Sequence, residues 1–306
     1  MRILVCGAAG FLGSAVVRAC ARGGHRVRGA VRSPAQQARV VGDGGEPVVA
    51  SVLDRVALGR AVEGCDAVVH LAQARGNGGP ETQAVRVEGA ANLRAVASSA
   101  GVRRLVVGSG YWVYRSHPGT ISEDSPLEPI GLSRTNFDAE RAAREGARVD
   151  LDVVVVRPGM VYGDGSWFRG MVEELNAGTY RYVGDGRNRL SPVSLEDTAE
   201  AYRLLIETAP AGATFLVVDD LPVATADFAR YVAARLGAPP PQGMPFAEAE
   251  ATWGADLVHL NAADRGASNA RLRALGWRPR SPTFRDGIPR VLEAMERSPG
   301  DARRGP

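Results

Sequence analysis

The sequence predicts an α/β protein built on a doubly wound parallel sheet. Short apolar runs alternate with segments of helical periodicity over about the first 160 residues, and these runs are too short to be helices. The valine-rich run at residues 151–156 is typical of a strand buried on both faces of a sheet. The predicted strands cover residues 2–6, 26–31, 47–50, 67–72, 105–109 and 151–156, and the clearest helices cover residues 12–20, 55–62 and 81–99.

Three glycines connect the first predicted strand to the first helix. Gly7, Gly10 and Gly13 follow the apolar run, and apolar residues then recur at helical spacing until a glycine pair at residues 23–24. In such a turn the first glycine allows a sharp bend and the second leaves room for a diphosphate, while the third lets helix and strand pack closely. The helix N-terminus offers free N–H groups to the anion. The sequence therefore predicts a dinucleotide site here; an ordinary strand–helix turn is the alternative.

The end of the second strand indicates which dinucleotide is bound. Sites for NAD carry an acidic residue there, which binds the ribose hydroxyls. This chain has Arg32 and Ser33 instead, a cation and a hydroxyl that suit a 2′-phosphate. We therefore expect NADPH/NADP⁺ as the cofactor, and a solvated surface charge is the alternative for Arg32.

Composition excludes several classes of function. The chain has 306 residues, and its 37 basic residues are all arginine because the sequence contains no lysine. Chemistry through a lysine Schiff base is therefore excluded. The net charge of +3 is spread without a basic run, which argues against nucleic-acid binding. The four histidines show no metal-ligand spacing, so we expect no metal.

The same composition gives expectations about location and partners. No apolar run approaches the length of a membrane span, and a strand that begins at residue 2 leaves no place for a signal peptide. The three cysteines lie in predicted buried elements, as reduced structural thiols do. We expect a cytoplasmic protein, a monomer or homodimer, that binds a small molecule and neither a membrane nor nucleic acid.

Three further segments carry a resemblance to a known family. They are the R-P-G-M-V-Y-G turn at residues 157–163, the start of a helix at residues 192–199, and the stretch at residues 268–279 that contains L-G-W-R-P. Together with the G-x-x-G-x-x-G turn, they resemble the extended and atypical branches of the short-chain dehydrogenase/reductase superfamily, which include NAD-dependent epimerases and dehydratases. The resemblance covers nearly the whole chain. It implies a Rossmann-type sheet with a smaller C-terminal substrate-binding lobe.

The resemblance also implies domain boundaries and cofactor contacts. Residues 1–160 would form the NADP(H)-binding domain, residues 161–296 a substrate-binding lobe with some segments returning to the sheet, and residues 297–306 a frayed tail. The glycine-rich loop at residues 76–80 would be flexible. Ser51 stands where most relatives carry Asp beside the adenine. The implied cofactor-binding residues are Gly7, Gly10, Phe11, Leu12, Gly13, Arg32, Ser33, Ser51, Val52, Leu71, Ala72, Ser109, Asn136, Pro158, Gly159 and Val161.

The usual catalytic set of this superfamily is missing. Redox members use an Asn, a Ser or Thr, a Tyr that protonates the carbonyl oxygen, and a Lys that lowers the pKa of that tyrosine. The corresponding positions here carry Arg86, Gly110, Leu132 and Asn136. Leucine cannot donate a proton. The candidates for the catalytic roles are therefore Tyr111 as proton donor, with Ser109 and Asn136.

Two hypotheses of function remain. The first is an NADPH-dependent ketoreductase whose aromatic, polyketide-like ketone supplies its own hydrogen bond from a neighbouring phenol. The loss of the tyrosine also resembles the angucyclinone 7-ketoreductase type of enzyme found in simocyclinone biosynthesis. The second is a sensor or scaffold that binds NADP(H) without chemistry. Five aromatic residues favour the enzyme because they suit a flat ligand, although such residues also fill cores; they are Tyr111, Trp112, Tyr114, Trp167 and Phe168. Of these, Tyr111, Trp112, Trp167 and Phe168 are the predicted substrate-binding residues.

Overall fold

A seven-stranded parallel sheet forms the centre of the protein. The computed structural model describes residues 1–74, 79–147 and 149–297. In these ranges the strands are β1 (Arg2–Cys6), β2 (Arg26–Val31), β3 (Glu46–Val49), β4 (Ala67–His70), β5 (Arg104–Gly108), β6 (His117–Ile121), β7 (Asp152–Pro158), β8 (Met160–Tyr162), β9 (Arg181–Val183), β10 (Arg189–Leu190), β11 (Pro192–Ser194), β12 (Thr214–Val217), β13 (Val223–Ala224), β14 (Gln242–Met244) and β15 (Arg265–Ala267). The order in the sheet is β12-β7-β5-β4-β1-β2-β3. The strand order therefore reverses between β1 and β4, which is where such sheets bind their ligands.

Helices cover both faces of this sheet. Within the described ranges they are α1 (Phe11–Arg22), α2 (Gln37–Gly42), α3 (Arg55–Val62), α4 (Gly79–Gln83), α5 (Gly89–Ser99), α6 (Leu132–Arg144), α7 (Ser166–Asn176), α8 (Leu195–Thr208), α9 (Thr225–Leu236), α10 (Phe246–Trp253), α11 (Ala255–Ala262), α12 (Ala270–Ala274) and α13 (Phe284–Arg297). The predicted strands and the helix at residues 55–62 agree with the structure to within two residues at each end.

The first strand shows why both faces are covered. Ile3 and Val5 point into one apolar cluster, which α1 and α8 complete, while Leu4 and Cys6 point into a second cluster beneath α3 and α5. All four side chains have no exposed surface. A strand with apolar side chains in both directions is stable only between two layers of helix. The predicted α/β fold class with its doubly wound sheet is confirmed.

One predicted helix differs from the observed structure. The sequence predicts a continuous helix over residues 81–99, whereas the structure has α4, then a π-helix at Ala84–Glu88, then α5. A π-helix shifts the backbone hydrogen bonds by one residue and is frequent at functional sites. This segment lies beside the candidate site.

The C-terminal half contributes to the sheet and also has a core of its own. The strand β12 pairs in parallel with β7, so that residues 214–217 form one edge of the central sheet. A separate apolar cluster joins α7, α9 and α13. The predicted boundaries of the two domains remain predictions. The predicted frayed tail after residue 297 and residues 76–78 of the predicted loop lie outside the described residues.

Candidate functional site

The glycine turn has the geometry that its sequence predicts. Gly7 has a positive φ of 86°, and a Cβ there would lie 2.7 Å from the backbone of Leu71 and Ala72. A Cβ on Gly13 would lie 2.0 Å from the carbonyl oxygen of Gly7, so any side chain would force helix and strand apart. Gly10 is the N-cap residue of α1, and no side chain of the described residues caps this helix end. The first turn of α1 therefore presents its N–H groups to whatever lies above the turn.

A groove with a volume of about 340 Å³ runs over this turn along the carboxyl edge of the sheet. Its lining includes ten of the sequence-predicted residues, namely Gly7, Gly10, Phe11, Leu12, Gly13, Arg32, Ser51, Val52, Leu71 and Ala72. The uncapped helix end is suited to a diphosphate, because its N–H groups and the helix dipole both favour an anion. These residues therefore fit a dinucleotide whose diphosphate lies against Gly10.

Sequence reasoning missed several residues of the groove. The missed polar side chains are Gln36, Gln73 and Ser166. The side chain of Gln36 is held at the end of β2, because its Oε1 accepts a hydrogen bond of 3.1 Å from the backbone N–H of Arg32. Ser166 has a φ of 53° and is the one non-glycine residue with positive φ in the described ranges. No sequence pattern marks these three, because they come from separate loops that only the fold brings to one groove.

One end of the groove carries a charged side chain. Arg32 lines the groove with its side chain 44% exposed, and its Nη1 lies 3.4 Å from Oε1 of Glu81. An ion pair this exposed contributes little stability, so the guanidinium can turn toward a phosphate at small energetic cost. Ser33 is half-buried and is not part of the groove lining.

A second, smaller cavity adjoins the other end of the groove. Its volume is about 30 Å³, and it shares Leu12, Leu71, Ala72 and Gln73 with the groove. The rest of its lining consists of His70, Arg86, Gly108, Ser109, Ala139 and Tyr202. Because it lies on the side away from Arg32, this cavity marks the end where the reacting part of a dinucleotide would lie.

Arg86 enters this cavity from the π-helix. His70 Nε2 donates a hydrogen bond of 3.1 Å to the backbone carbonyl of Arg86, which joins the π-helix to the end of β4. Nη1 of Arg86 donates to Oδ1 of Asn136 on α6. Burial lowers the pKa of Arg86 to about 10, which leaves the guanidinium charged at neutral pH. Among the described residues no carboxylate forms an ion pair with it.

Ser109 belongs to a buried network instead of standing free. Its Oγ donates to Oε1 of Glu140 at 2.5 Å, and that carboxylate is also held by two nitrogen atoms of Arg157 at 2.9 and 2.6 Å. Nη1 of Arg157 donates to the hydroxyl of Tyr114 at 2.8 Å. The network joins the ends of β5 and β7 to α6. It fixes the backbone at the small cavity, and it uses the proton of Ser109.

The structure does not bring Tyr111 into either cavity. Its side chain is 1% exposed and packs in a cluster with Val113 and Tyr114, and its ring centroid lies 4.7 Å from that of Trp112. Burial raises the pKa of its hydroxyl to about 12. A hydroxyl so placed is a poor proton donor to a ligand in the groove. The catalytic role of Tyr111 remains a prediction that this geometry does not favour.

The other predicted aromatic residues also have structural contacts. Phe168 is fully buried in the cluster of α7, α9 and α13. Nε1 of Trp167 donates to the carbonyl of Val161 at 2.7 Å, and Trp167 remains half-buried. Pro158, Gly159 and Val161 lie where β7 passes into β8, outside the lining of both cavities. Their predicted contacts with cofactor or substrate remain predictions.

Comparison with known proteins places this geometry in a family. Residues 7–187 match a family model described as NAD(P)H-binding. A 3-diazoavenalumate denitrifying reductase from a Streptomyces species is 34% identical over 95% of this chain and 100% of its own length. The chain belongs to the atypical short-chain dehydrogenase/reductase superfamily.

Two further proteins support this membership. A 4-hydroxy-2-methyl-3-oxo-4-farnesyl-3,4-dihydroquinoline-1-oxide ketoreductase from Stigmatella aurantiaca is 27% identical over 74% of this chain and 71% of its own length. The crystal structure of DesIV, a dTDP-glucose 4,6-dehydratase from Streptomyces venezuelae with NAD bound, superposes with a TM-score of 0.83 at 26% identity over 97% of each chain. This chain is thus an NAD(P)-binding member of the superfamily with reductases among its relatives.

The positions that carry catalytic side chains in the superfamily pattern hold other residues in this chain. Leu132 begins α6 where the tyrosine is expected, and Asn136 follows one turn later where the lysine is expected. A Cβ on Gly110 would lie 2.7 Å from Trp112 Cδ1, so a serine at this position would require Trp112 to move. The absence of a Ser or Thr hydroxyl at position 110 is therefore coupled to the position of the Trp112 ring.

Two negative findings complete the description of the site. Within residues 1–74, 79–147 and 149–297, no group of three or more His, Cys, Asp or Glu side chains is arranged to hold a metal ion. None of the helices in the described part of the chain combines the length and the apolar character that crossing a bilayer requires.

Proposed function

We propose that this protein is an NADPH-dependent ketoreductase for an aromatic, polyketide-like ketone that carries a phenol beside its carbonyl group. The observation that supports this most directly is the small cavity: it adjoins a dinucleotide groove but contains neither the tyrosine nor the lysine of the superfamily. Such a site can orient a substrate for hydride transfer but cannot supply the usual proton. In this proposal the substrate supplies it.

The reaction balances without an acid from the protein. Hydride adds to the carbonyl carbon, and the π electrons of the C=O bond move to the oxygen, which takes the proton of the neighbouring phenol. Water then returns a proton to the phenolate. The bound cofactor supplies the hydride, and the chain positions the two reactants, which is a large part of the acceleration. A missing general acid typically costs about 10²–10⁴-fold, and an internal hydrogen bond offsets part of this loss.

NADPH is proposed over NADH because of Arg32. Its guanidinium lines the groove at the end remote from the small cavity, where the adenosine ribose would lie. No acidic side chain occupies the end of β2, where an NAD site requires one.

The test compares ketones with and without the internal hydrogen bond. ortho-Hydroxyacetophenone and its methyl ether are incubated with the protein and NADPH, and the loss of reduced-nicotinamide absorbance is followed together with the alcohol product. We expect the phenol to be reduced at least about tenfold faster than the ether. Equal rates would disprove substrate assistance. Tight NADPH binding without reduction of any hydroxyaryl ketone would favour the sensor or scaffold instead.

A second candidate substrate class is an aryl diazo compound. The observation that favours it is the similarity to the denitrifying reductase over the full length of both chains. Hydride addition to the terminal nitrogen of an aryl diazonium gives a neutral diazene, which loses N₂ and leaves hydrogen on the ring. This addition requires no proton from the protein, in agreement with Leu132 at the tyrosine position. Release of N₂ with consumption of NADPH, in parallel with the ketone assay, distinguishes the two classes.

A further inference from the structure

We propose that Arg86 binds a carboxylate of the substrate in the small cavity, so that the natural substrate is an anionic aromatic compound and not a neutral one. The proposal deepens the ketoreductase function and rests on it for the nature of the reacting group. It stands on three observations: Arg86 has no carboxylate partner in the part of the chain that the structure describes, the cavity is lined by a further donor, and side chains are exchanged between two positions.

The first argument is the charge of Arg86. The guanidinium has five N–H donors, and one of its nitrogens donates to Asn136. No carboxylate of the described chain pairs with it, although the buried Arg157 nearby is paired with Glu140 at 2.6 Å. Removing a cation from water without an opposite charge costs stability. A substrate anion bound next to Arg86 would offset this loss of stability. An arginine whose counter-ion arrives with the ligand is the arrangement expected for a binding residue.

The second argument is the lining of the cavity. The hydroxyl of Tyr202 is fully buried and has no hydrogen-bond partner among the described residues. It is a second donor beside Arg86. His70 Nδ1 is also buried without a partner in the described chain; since Nε2 donates to the carbonyl of Arg86, Nδ1 is an acceptor and adds no donor. A volume of about 30 Å³ accommodates about two water-sized atoms, which suits the two oxygens of a carboxylate.

The third argument is a reciprocal exchange. The superfamily has Asn at the position of Arg86 and Lys at the position of Asn136, so this chain has exchanged the cation and the amide between the two positions. The hydrogen bond between Arg86 and Asn136 shows that the two side chains still meet. The positive charge has therefore been kept but moved from α6 to the π-helix. At this position the charge belongs to a guanidinium group. Its planar fork of N–H donors matches a carboxylate better than an ammonium group does.

Phosphates of the cofactor do not account for this charge. The uncapped N-terminus of α1 and Arg32 both line the groove, whereas Arg86 lines only the small cavity beyond its end. A phenol would be a weaker partner than a carboxylate, because a phenol with a pKa near 10 is neutral at pH 7. The carboxylate is thus the group that the site suits best.

The test uses two ligands of similar size and shape, of which one carries a negative charge and the other is neutral. Salicylate and its neutral amide, salicylamide, are titrated by calorimetry into protein saturated with NADP⁺. For the wild type we expect salicylate to bind about 10- to 100-fold more tightly than salicylamide, the range for a hydrogen bond to a charged group. Arg86→Gln should abolish this preference, and Arg86→Lys should restore part of it. The affinity for NADP⁺ should be the same in both variants.

Arg32→Gln is the matched control, because it removes an arginine from the other end of the groove. It should weaken NADP⁺ binding and leave the preference for salicylate intact. Equal binding of the two ligands to the wild type, or a preference that persists in Arg86→Gln, would overturn the proposal. Circular dichroism and unchanged NADP⁺ affinity establish that Arg86→Gln is folded.

The outcome is independent of the proposed reaction. If no ketone is reduced but salicylate binding depends on Arg86, the carboxylate site stands and the ketoreductase function fails. If hydroxyaryl ketones are reduced equally well with and without a carboxylate, and Arg86→Gln has the wild-type KM, the function stands and the carboxylate site fails.

Discussion

The buried pair of Glu140 and Arg157 offers the sharpest test of how the site is held together. The two side chains are 4% and 5% exposed and share two hydrogen bonds, so neither charge is solvated by water. Glu140→Gln keeps the volume and removes the negative charge. The guanidinium of Arg157 then remains buried without a counter-ion, which should lower the free energy of unfolding by about 3–5 kcal/mol.

The assay is urea unfolding followed by circular dichroism, with a double-mutant cycle. Arg157→Met in the background of Glu140→Gln removes the orphaned charge, so the double variant should be more stable than Glu140→Gln alone. The exposed pair Arg141 and Glu145 on the same helix is the control, with side chains 53% and 62% exposed. Glu145→Gln should leave the free energy of unfolding nearly unchanged, because water screens both charges. A loss below about 1 kcal/mol for Glu140→Gln would refute the reasoning, as would a double variant less stable than the single one.

Four further predictions concern the cofactor, the proton donor and pH. Gly10→Leu should abolish NADPH binding, because the side chain would fill the space above the turn, whereas Gly59→Leu, with nothing within 4 Å of its Cβ, should bind normally in a fluorescence titration. Arg32→Ala should lower the ratio of NADPH to NADH affinity; an unchanged ratio would exclude a role for Arg32 in choosing the cofactor. Tyr111→Phe should lower kcat/KM less than about tenfold, since its hydroxyl is buried away from the groove, and a loss of about 100-fold would identify it as the acid. Burial raises the pKa of Asp219 from 3.8 to about 8, so the folded state binds a proton that the unfolded state releases over this range. The free energy of unfolding should therefore decrease as the pH rises from about 4 to about 8, and Asp219→Asn should remove the contribution of this group. If the free energies of unfolding of the two proteins, measured by urea unfolding, change with pH by the same amount, the prediction is wrong.

The sequence by itself determined the sheet and the cofactor turn. Each strand is a local apolar run. The role of Gly7 and Gly13 follows from the close approach of backbone segments at this turn, which leaves no space for a Cβ. The continuous helix predicted over residues 81–99 is interrupted by the π-helix at Ala84–Glu88, where the backbone carbonyl of Arg86 accepts a hydrogen bond from a side chain outside the helix. That side chain is His70, and it lies on a strand. Local periodicity contains no information about such a contact.

The tertiary structure decided which side chains line the small cavity. Sequence reasoning recognised that the tyrosine and lysine are absent, but it proposed Tyr111, which the fold buries. It did not find Tyr202, which α8 brings to the small cavity from more than a hundred residues beyond Arg86. The physical reason is that the motif residues follow one another along the chain, whereas burial, ion pairing and unpaired donors depend on which distant helix covers the strand ends. Arg86 could be read from the sequence as a substitution, and only the packing around it gives it an amide partner and no carboxylate partner among the described residues.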